Sequence, residues 1–215
     1  NFPETMRFVP EGKAVLTGSP IREELLHGNK LAALSLCGFT ANKPVILVIG
    51  GSQGSVVVND AIRGILPELL KTYQVIHLCG KGKLDSTKTD MEGYIQFEYV
   101  KKELADLFAL ADICISRAGA NAICELLALR KPNLLIPLSA NASRGDQILN
   151  AESFENQGFS EVLTEENLAP TIMLPIINKL YEKRADYVAA MEKSGQSDAI
   201  SKIISLIEDV TSQKH

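Results

Sequence analysis

No stretch of this sequence is apolar over the roughly 18 consecutive residues that a membrane-spanning helix requires. Residues 1–4 are followed by neither the basic segment nor the apolar segment of a signal peptide, so no secretion signal is predicted. The chain also lacks methionine at its first position, and we therefore expect it to begin inside a longer protein. Its 46% hydrophobic and 22% charged residues are ordinary for a soluble globular protein.

Cysteines are few, and they do not form paired metal or redox motifs. There are four of them, without a CxxC spacing, and three lie in or beside apolar runs. We therefore predict buried free thiols in a reducing cytosol rather than disulfides or a metal site. No set of His, Cys and Asp residues has metal-ligand spacing, and neither GxSxG nor a Ser/His/acid order is present. No metal and no cofactor are predicted, and no general base is visible.

Positive charge is also limited. The 22 Lys and Arg residues are outnumbered by 26 Asp and Glu residues, which leaves a net charge of −4. A general nucleic-acid-binding protein is usually basic, so no nucleic-acid partner is predicted, although a local positive site remains compatible with this balance. The 215 residues suffice for one large domain or two small ones.

What the sequence does contain is a regular alternation of short apolar runs and helical patterns from residue 45 onward. Strands are predicted at 45–49, 74–78, 94–99, 112–116, 133–136 and 160–163, and helices at 59–71, 102–109, 121–128 and 146–157. Two or three further helices follow, with a break at Gly195, while a short strand at 14–17 and a weak helix at 30–37 precede the alternation. The predicted fold class is α/β: a Rossmann-like, doubly wound parallel sheet of about six strands with helices on both faces. Such sheets bind ligands beyond the carboxyl ends of their strands, where the strand order reverses.

The first strand ends in a glycine-rich turn, Gly50-Gly51-Ser52-Gln53-Gly54-Ser55, and a helix follows. Glycines let backbone amides approach a ligand, and a helix N-terminus attracts anions, so this turn predicts a diphosphate site in which Ser52 donates its hydroxyl. The spacing is neither GxGxxG nor a Walker loop, and the second strand ends at Cys79-Gly80 without the acid that a dinucleotide site needs. NAD and FAD are therefore disfavoured. The alternative is a tight turn that needs glycine for its shape alone.

A second turn, Ser116-Arg117-Ala118-Gly119-Ala120, follows the fourth predicted strand. Arg117 is a candidate phosphate-binding cation, and a structural ion pair is the alternative. Six residues after Gly119, Glu125 lies within an apolar helix, where a carboxylate is costly unless it is bonded. A ribose diol would satisfy Glu125, and so would a capping or salt-bridge role.

Two more segments follow strands on the same predicted edge. Backbone groups near Val100 could read the edge of a base, although residues 100–103 also fit a simple helix start. Asp146 and Gln147 open a helix with a carboxylate and an amide, which are suited to sugar hydroxyls. Asp146 could instead act only as an N-cap, and Asn150 is interpreted as structural.

Four segments, in this order along the chain, resemble the MurG glycosyltransferases of peptidoglycan synthesis. Gly18-Ser19-Pro20-Ile21-Arg22 is similar to the Gly-x-Pro-x-Arg segment at the end of their N-terminal domain. Residues 50–55 with Asn59 resemble their phosphate loop. Residues 116–125 resemble their second glycine turn and ribose-binding helix, and residues 144–151 resemble their sugar-contacting segment.

The resemblance implies one half of a GT-B fold, which consists of two Rossmann-like domains. Residues 1–43 would be the end of the N-terminal domain with the interdomain linker, 44–195 the UDP-sugar-binding domain, and 196–215 a C-terminal helix. The family transfers N-acetylglucosamine from UDP-N-acetylglucosamine (UDP-GlcNAc) to undecaprenyl-diphospho-MurNAc-pentapeptide (lipid I), which gives lipid II. The implied reaction inverts the anomeric centre without a metal, on the inner face of the bacterial cytoplasmic membrane, with peripheral membrane association.

Residue by residue, the resemblance implies that Ser52 meets the diphosphate, Val100 meets uracil through its backbone, and Glu125 binds the ribose. Gln147 and Asp146 would hold the sugar. The full set of implied donor-binding residues is Arg22, Gly51, Ser52, Gln53, Gly54, Val100, Gly119, Ala120, Asn121, Ala122, Glu125, Asp146 and Gln147.

The chain departs from the family pattern in two ways. The 215 residues include neither the glycine-rich acceptor loops nor the candidate base of the family's N-terminal domain, and Ala118 and Ala122 stand where other members often have hydroxyl residues. The catalytic residues are therefore expected outside this chain, which alone should bind the donor weakly and not catalyse. Another GT-B enzyme, such as a glycolipid glucosyltransferase, and a non-catalytic nucleotide-sugar-binding subunit remain open. A UDP-GlcNAc epimerase is disfavoured, since the acid and histidine groups that it would need near the sugar are not found.

Overall fold

Six parallel strands form one sheet in the computed structural model, which describes residues 2–51, 53–140, 145–194 and 199–212. Their order across the sheet is β3-β2-β1-β4-β5-β6, with every neighbouring pair parallel. The strands are β1 Val45–Ile49, β2 Gln74–Leu78, β3 Tyr94–Phe97, β4 Ile113–Ser116, β5 Asn133–Leu135 and β6 Ser160–Val162. This arrangement confirms the predicted Rossmann-like, doubly wound fold.

Helices surround the sheet and connect its strands. They are α1 Lys30–Cys37, α2 Val56–Thr72, α3 Leu104–Leu110, α4 Ala120–Ala128, α5 Asp146–Asn156, α6 Pro170–Glu182, α7 Arg184–Lys193 and α8 Ala199–Ser212. Short 3₁₀ helices lie at Pro3–Phe8, Glu23–His27, Ser86–Lys88 and Glu165–Asn167. None of the helices in the described ranges combines the length and the apolar character needed to cross a membrane.

The strand order reverses at β1, which pairs with β2 on one side and with β4 on the other. At the carboxyl edge of this pair, Ile49 lies opposite Ser116. The two glycine-rich turns therefore leave the sheet side by side, and the connections diverge to opposite faces of the sheet. This geometry opens a crevice at the position where α/β sheets bind ligands.

The core explains why β1 is an unbroken apolar run. Ile46 and Leu47 of β1 are fully buried, as are Ile113 and Ile115 of β4. Central strands of a parallel sheet are covered on both faces, and each such side chain contributes about 1.5–3 kcal/mol when it is fully buried. All four cysteines are free, and all are buried, as predicted; burial raises the pKa of the Cys114 thiol to about 12.

The sequence was misread at several element ends. Residues 14–17 do not form a strand, since they pair with none of the six described strands. Helix α2 begins at Val56, three residues before its predicted start, because the Ser55 hydroxyl caps it by accepting from the Val58 amide at 3.3 Å. The consecutive valines after Ser55, which favour strands, concealed this start. The predicted break at Gly195 lies outside the described residues.

The segment before β1 packs on the sheet domain. Helix α1 lies against α3, and Leu25 is buried in the same core. Near the start of the chain, the Phe2 ring lies 6.3 Å from the ring of Phe154, and the Glu4 carboxylate accepts from the Ser153 hydroxyl at 2.9 Å. These contacts, which lie on both sides of Arg22 in the chain, fix the segment before β1 against the sheet domain.

Candidate functional site

The first glycine-rich turn packs backbone against backbone on the end of β2. Gly51 and Gly54 have positive φ angles of 92° and 70°, which disfavour other residues. A Cβ at Gly54 would lie 1.9 Å from the Cys79 carbonyl oxygen, and a Cβ at Gly80 would lie 2.2 Å from the Gln53 carbonyl oxygen. Glycine is therefore required here by a close approach within the protein itself, in addition to any role towards a ligand.

Lys83 holds this turn from the protein side. Its ammonium donates to the carbonyl oxygens of Gln53 at 2.6 Å and Gly54 at 3.1 Å. The Gln53 side chain is exposed, and Ser52 lies outside the described residues, so its contact with a diphosphate stays a prediction. Lys83 was not among the predicted site residues, although its place in Lys81-Gly82-Lys83, just beyond the end of β2, was the available signal.

A buried polar network lies beneath the same turn. The Asn59 amide donates to the Cys79 carbonyl oxygen at 2.9 Å, and its oxygen lies 2.9 Å from Nε2 of His77. Nδ1 of His77 lies 2.9 Å from the Tyr94 hydroxyl, so a neutral imidazole uses both nitrogens. Burial and the charge of Arg63 lower the pKa of His77 to about 3. This histidine is a structural group and not an acid or base for catalysis at neutral pH.

Arg117 of the second turn is a structural residue. Its guanidinium is buried, donates to the carbonyl oxygens of Ile136 and Pro137 at 3.1 and 3.2 Å, and donates to the Ser55 hydroxyl at 2.7 Å. It also pairs with Glu165 at 2.5 Å. The sequence left open a phosphate-binding cation or a structural ion pair at Arg117. The geometry supports the ion pair, because these partners occupy the guanidinium.

The ion pair with Arg117 changes the pKa of Glu165. Burial raises the pKa of this carboxyl, but the hydrogen bond and charge of Arg117 outweigh burial, so the net pKa is lowered. The second oxygen of Glu165 accepts from the Ser139 amide at 3.2 Å. Arg117 and Glu165 thus tie the loops that follow β1, β4, β5 and β6 to one another.

The N-terminus of α4 opens towards the crevice. Gly119 is its N-cap, without a side-chain cap, and its first turn contains Ala120, Asn121 and Ala122 with no acidic residue. The first amides of a helix have no intrahelical acceptor and carry partial positive charge. Since α2 begins beside α4 at the same sheet edge, two helix N-termini flank the point where the strand order reverses. The arrangement is suited to a diphosphate.

Glu125 and Arg22, which are 103 positions apart in the chain, form an ion pair. Nη2 of Arg22 lies 3.0 Å and Nε lies 3.2 Å from the same carboxylate oxygen. The Glu125 side chain is 19% exposed, whereas that of Arg22 is 48% exposed. The structure therefore satisfies the carboxylate of Glu125 with a salt bridge and brings together two residues of the predicted site.

The remaining predicted residues follow strands at the same edge of the sheet, and they differ in burial and in hydrogen bonding. Val100 is buried three residues beyond β3. Asp146 is exposed and is the first residue of α5, whose N-cap is Gly145, so the N-cap reading of Asp146 is wrong. The Gln147 side chain accepts from the Leu138 amide at 3.2 Å.

Asn150 donates to the Ala118 carbonyl oxygen at 3.0 Å, in keeping with a structural role. No cluster of three His, Cys, Asp or Glu side chains suited to a metal ion occurs within the described residues.

Known proteins share the sequence and the fold of this chain. The sequence profile of the glycosyltransferase family 28 C-terminal domain matches residues 45–207. The chain is 65% identical over 209 residues to the UDP-N-acetylglucosamine--N-acetylmuramyl-(pentapeptide) pyrophosphoryl-undecaprenol N-acetylglucosamine transferase of Lachnospira eligens, covering 97% of this chain and 59% of that protein. It is 61% identical over 210 residues to the protein of the same name from Lachnoclostridium phytofermentans, covering 98% and 59%.

Solved structures show the same fold. MurG of Acinetobacter baumannii superposes with a TM-score of 0.67 at 22% identity, covering 97% of this chain and 58% of that one. The spinosyn forosaminyltransferase SpnP superposes with a TM-score of 0.58 at 16% identity, covering 82% and 46%. The chain thus spans 59% of the length of the curated relatives named above. On the match over residues 45–207, it belongs to the glycosyltransferase family 28 C-terminal domain family.

Proposed function

We propose that this chain is the donor-binding part of an enzyme that transfers N-acetylglucosamine from UDP-GlcNAc to lipid I and so forms lipid II. The observation that carries the proposal is the convergence of two glycine-rich turns and two helix N-termini at the strand-order reversal, with Glu125 on the second helix. The names of the curated relatives support the choice of donor and acceptor.

The diphosphate would lie between the first turn and the start of α4. The turn of residues 50–55, including Ser52, would face it from one side, and the first amides of α4 would face it from the other. Backbone amides held in fixed positions stabilise charge without reorganising, which is the main electrostatic device available to such a site. The Lys83 contacts with the carbonyls of Gln53 and Gly54 would keep the turn in its binding conformation.

The nucleoside would occupy the surface next to Glu125. Its ribose hydroxyls would donate to the Glu125 carboxylate, replacing the hydrogen bonds that Arg22 now donates to it. Arg22 would then be free to face the phosphates. The backbone at Val100 would contact uracil, while Asp146 and Gln147 would contact the sugar.

The reaction is an inverting displacement. The C4 hydroxyl oxygen of the acceptor forms a bond to C1 of the sugar, the bond from C1 to the diphosphate oxygen breaks, and its electron pair leaves with UDP. The hydroxyl proton passes to a base outside this chain. Leaving-group charge would be balanced by the turn amides, the helix N-termini and Arg22, so no metal is required.

The proposal includes the division of the chain. Residues 1–43 would join the donor domain, 44–195, to an acceptor domain, and 196–215 would add a C-terminal helix. The acceptor and the peripheral contact with the inner face of the membrane would come through the remaining part of the protein. The chain alone should therefore bind donor weakly and not turn it over.

Calorimetry tests the donor site on the chain itself. UDP-GlcNAc and UDP should bind, UDP-glucose should bind more weakly than UDP-GlcNAc, and NADH should not bind. Because hydrogen bonds to a charged group contribute about 1.5–3 kcal/mol, Glu125→Ala should weaken UDP binding about tenfold or more. The exposed Glu152 on α5 offers a matched control, and Glu152→Ala should leave the affinity unchanged.

Three other binding results would contradict the proposed donor specificity. Absence of binding by any uridine nucleotide would sink the proposal. Equal binding of UDP-GlcNAc and UDP-glucose would favour a glucosyltransferase, and NADH binding that survives Glu125→Ala would favour an oxidoreductase.

A further inference from the structure

A cavity of about 440 Å³ lies at the amino edge of the sheet, opposite the glycine-rich turns. Its wall includes the residues that immediately precede β4 and β5, the end of α3, the start of α1 and one side of α7. A smaller cavity of about 210 Å³ shares Lys30, Leu110 and Asp112 with it and continues towards the start of β1. The donor site described above uses none of these residues.

Positive charge predominates in the larger cavity, although the whole chain carries a net charge of −4. Four cationic side chains and two carboxylates line it: Lys30, Arg130, Lys131, Arg184, Asp112 and Glu192. The carboxylates already have partners, because Asp112 accepts from the Val45 amide at 2.8 Å and Glu192 pairs with Arg130 at 3.1 Å.

Three of the cations have no carboxylate partner in the part of the chain that the structure describes. The Lys131 ammonium donates to the Ala111 carbonyl oxygen at 2.9 Å, and the Arg184 guanidinium lies 4.2 Å from the centre of the Tyr181 ring. Burial lowers the pKa of Lys131, the Asp112 carboxylate opposes this shift, and the nearby charge of Lys30 adds to it. An anion between these side chains would relieve their repulsion.

The rest of the cavity wall is apolar, which limits the kind of ligand that fits. Leu110, Pro132 and Val188 contribute to it together with small alanine side chains. A bare ion would leave this surface and most of the volume unused, whereas small-molecule sites are typically about 300–1,000 Å³ with an apolar lining and a few polar groups. An organic anion matches both the charge and the size.

We propose that this cavity binds a small organic phosphate, with its charged group between Lys30, Lys131 and Arg184 and its organic part against Leu110, Pro132 and Val188. The phosphate group belongs either to a soluble metabolite or to the headgroup of an anionic lipid. The site lies on the far edge of the sheet from the donor crevice, so it is independent of the proposed transferase function.

The test uses the whole chain, isotopically labelled, with excess UDP present to occupy the donor site. Glycerol 3-phosphate is titrated while backbone amide resonances are followed by NMR, and sodium chloride of equal ionic strength is the blank. Concentration-dependent shifts should appear at Lys30, Lys131, Arg184 and their neighbours. The double variant Lys30→Gln/Arg184→Gln should weaken binding at least about tenfold, since it loses two charge-assisted hydrogen bonds to the phosphate group.

Two controls separate this effect from misfolding and from general charge. Lys193→Gln removes an exposed cation from the same helix as Arg184 but outside the cavity, and it should leave the binding unchanged. Lys30→Arg keeps the charge and should retain most of the affinity. UDP affinity should be the same in all variants, which shows that they remain folded. If the unaltered chain does not bind UDP, that result counts against the proposed donor site, and the amide shifts at the cavity still test the phosphate site.

Sedimentation with phosphatidylglycerol vesicles, against phosphatidylcholine vesicles, identifies the source of the phosphate. If the unaltered chain binds the anionic vesicles and the double variant does not, the phosphate group belongs to a lipid headgroup. Shifts with glycerol 3-phosphate and no vesicle binding assign a soluble compound. The proposal is overturned if neither probe binds, or if the double variant binds both as the unaltered chain does.

Discussion

The two glycine-rich turns look alike in sequence, yet different forces hold them. The first turn packs its backbone against Cys79 and Gly80, and Lys83 bonds two of its carbonyls. The second turn is held by side chains, the Arg117 guanidinium and the Asn150 amide, while a Cβ on Gly119 would meet nothing within 4 Å. A shared motif at neighbouring strand ends therefore does not imply a shared reason for each glycine.

The largest expected effect comes from removing Arg117, the charged side chain that holds the second turn. Arg117→Leu leaves Glu165 partly buried without its partner, and loss of one member of a buried pair costs about 3–5 kcal/mol. We expect the free energy of unfolding in urea to fall by that amount. Arg130→Leu is the matched control, because its pair with Glu192 is half exposed and should contribute no more than about 1 kcal/mol. Equal losses in the two variants would show that Arg117 does not hold the turn.

The glycines themselves offer a direct contrast between the turns. Gly54→Ala combines a φ of 70° with a Cβ placed 1.9 Å from a backbone oxygen, and it should destabilise the fold by about 3 kcal/mol. In Gly119→Ala the added Cβ enters open space and the φ of −68° suits any residue. The free energy of unfolding should therefore change by no more than about 1 kcal/mol. Urea unfolding of both variants measures the difference. Similar losses would mean that the close packing at Gly54 relaxes easily.

Acid should weaken the support of the first turn through His77. Its pKa is about 3 in the fold against 6.5 in the unfolded chain, so only the unfolded chain takes up a proton as the pH falls below 6.5. The stabilisation is complete above that pH and is lost progressively towards pH 3, by about 2 kcal/mol between pH 7.5 and pH 5.

Urea unfolding at several pH values checks this dependence. His77→Gln should flatten the curve by that amount, whereas His27→Gln, at an exposed position, should leave the slope unchanged. An unaltered slope in His77→Gln would mean that other groups set the acid sensitivity.

The sheet was predictable from the sequence because its signals are local. The apolar run at Val45–Ile49 and the turn after it identify a buried strand and its carboxyl end without reference to the rest of the chain. The start of α2 was not predictable from its valines, because the hydrogen bond of the Ser55 cap outweighs their preference for strands. Similarly, Asp146 resembles a cap in sequence, but Gly145 takes that position at a φ of 83°.

By itself, the sequence determined the alternation of strands and helices, the edge that carries the glycine turns, and the family to which those turns belong. Tertiary structure alone decided the partners of the charged groups: Arg117 with Glu165 across 48 positions, and Arg22 with Glu125 across 103. It also brought Lys83 onto the first turn and gathered the cations at the opposite edge. The physical reason is that local patterns reflect interactions within a few residues, whereas these pairings depend on the order of the strands, which packing of the whole chain sets.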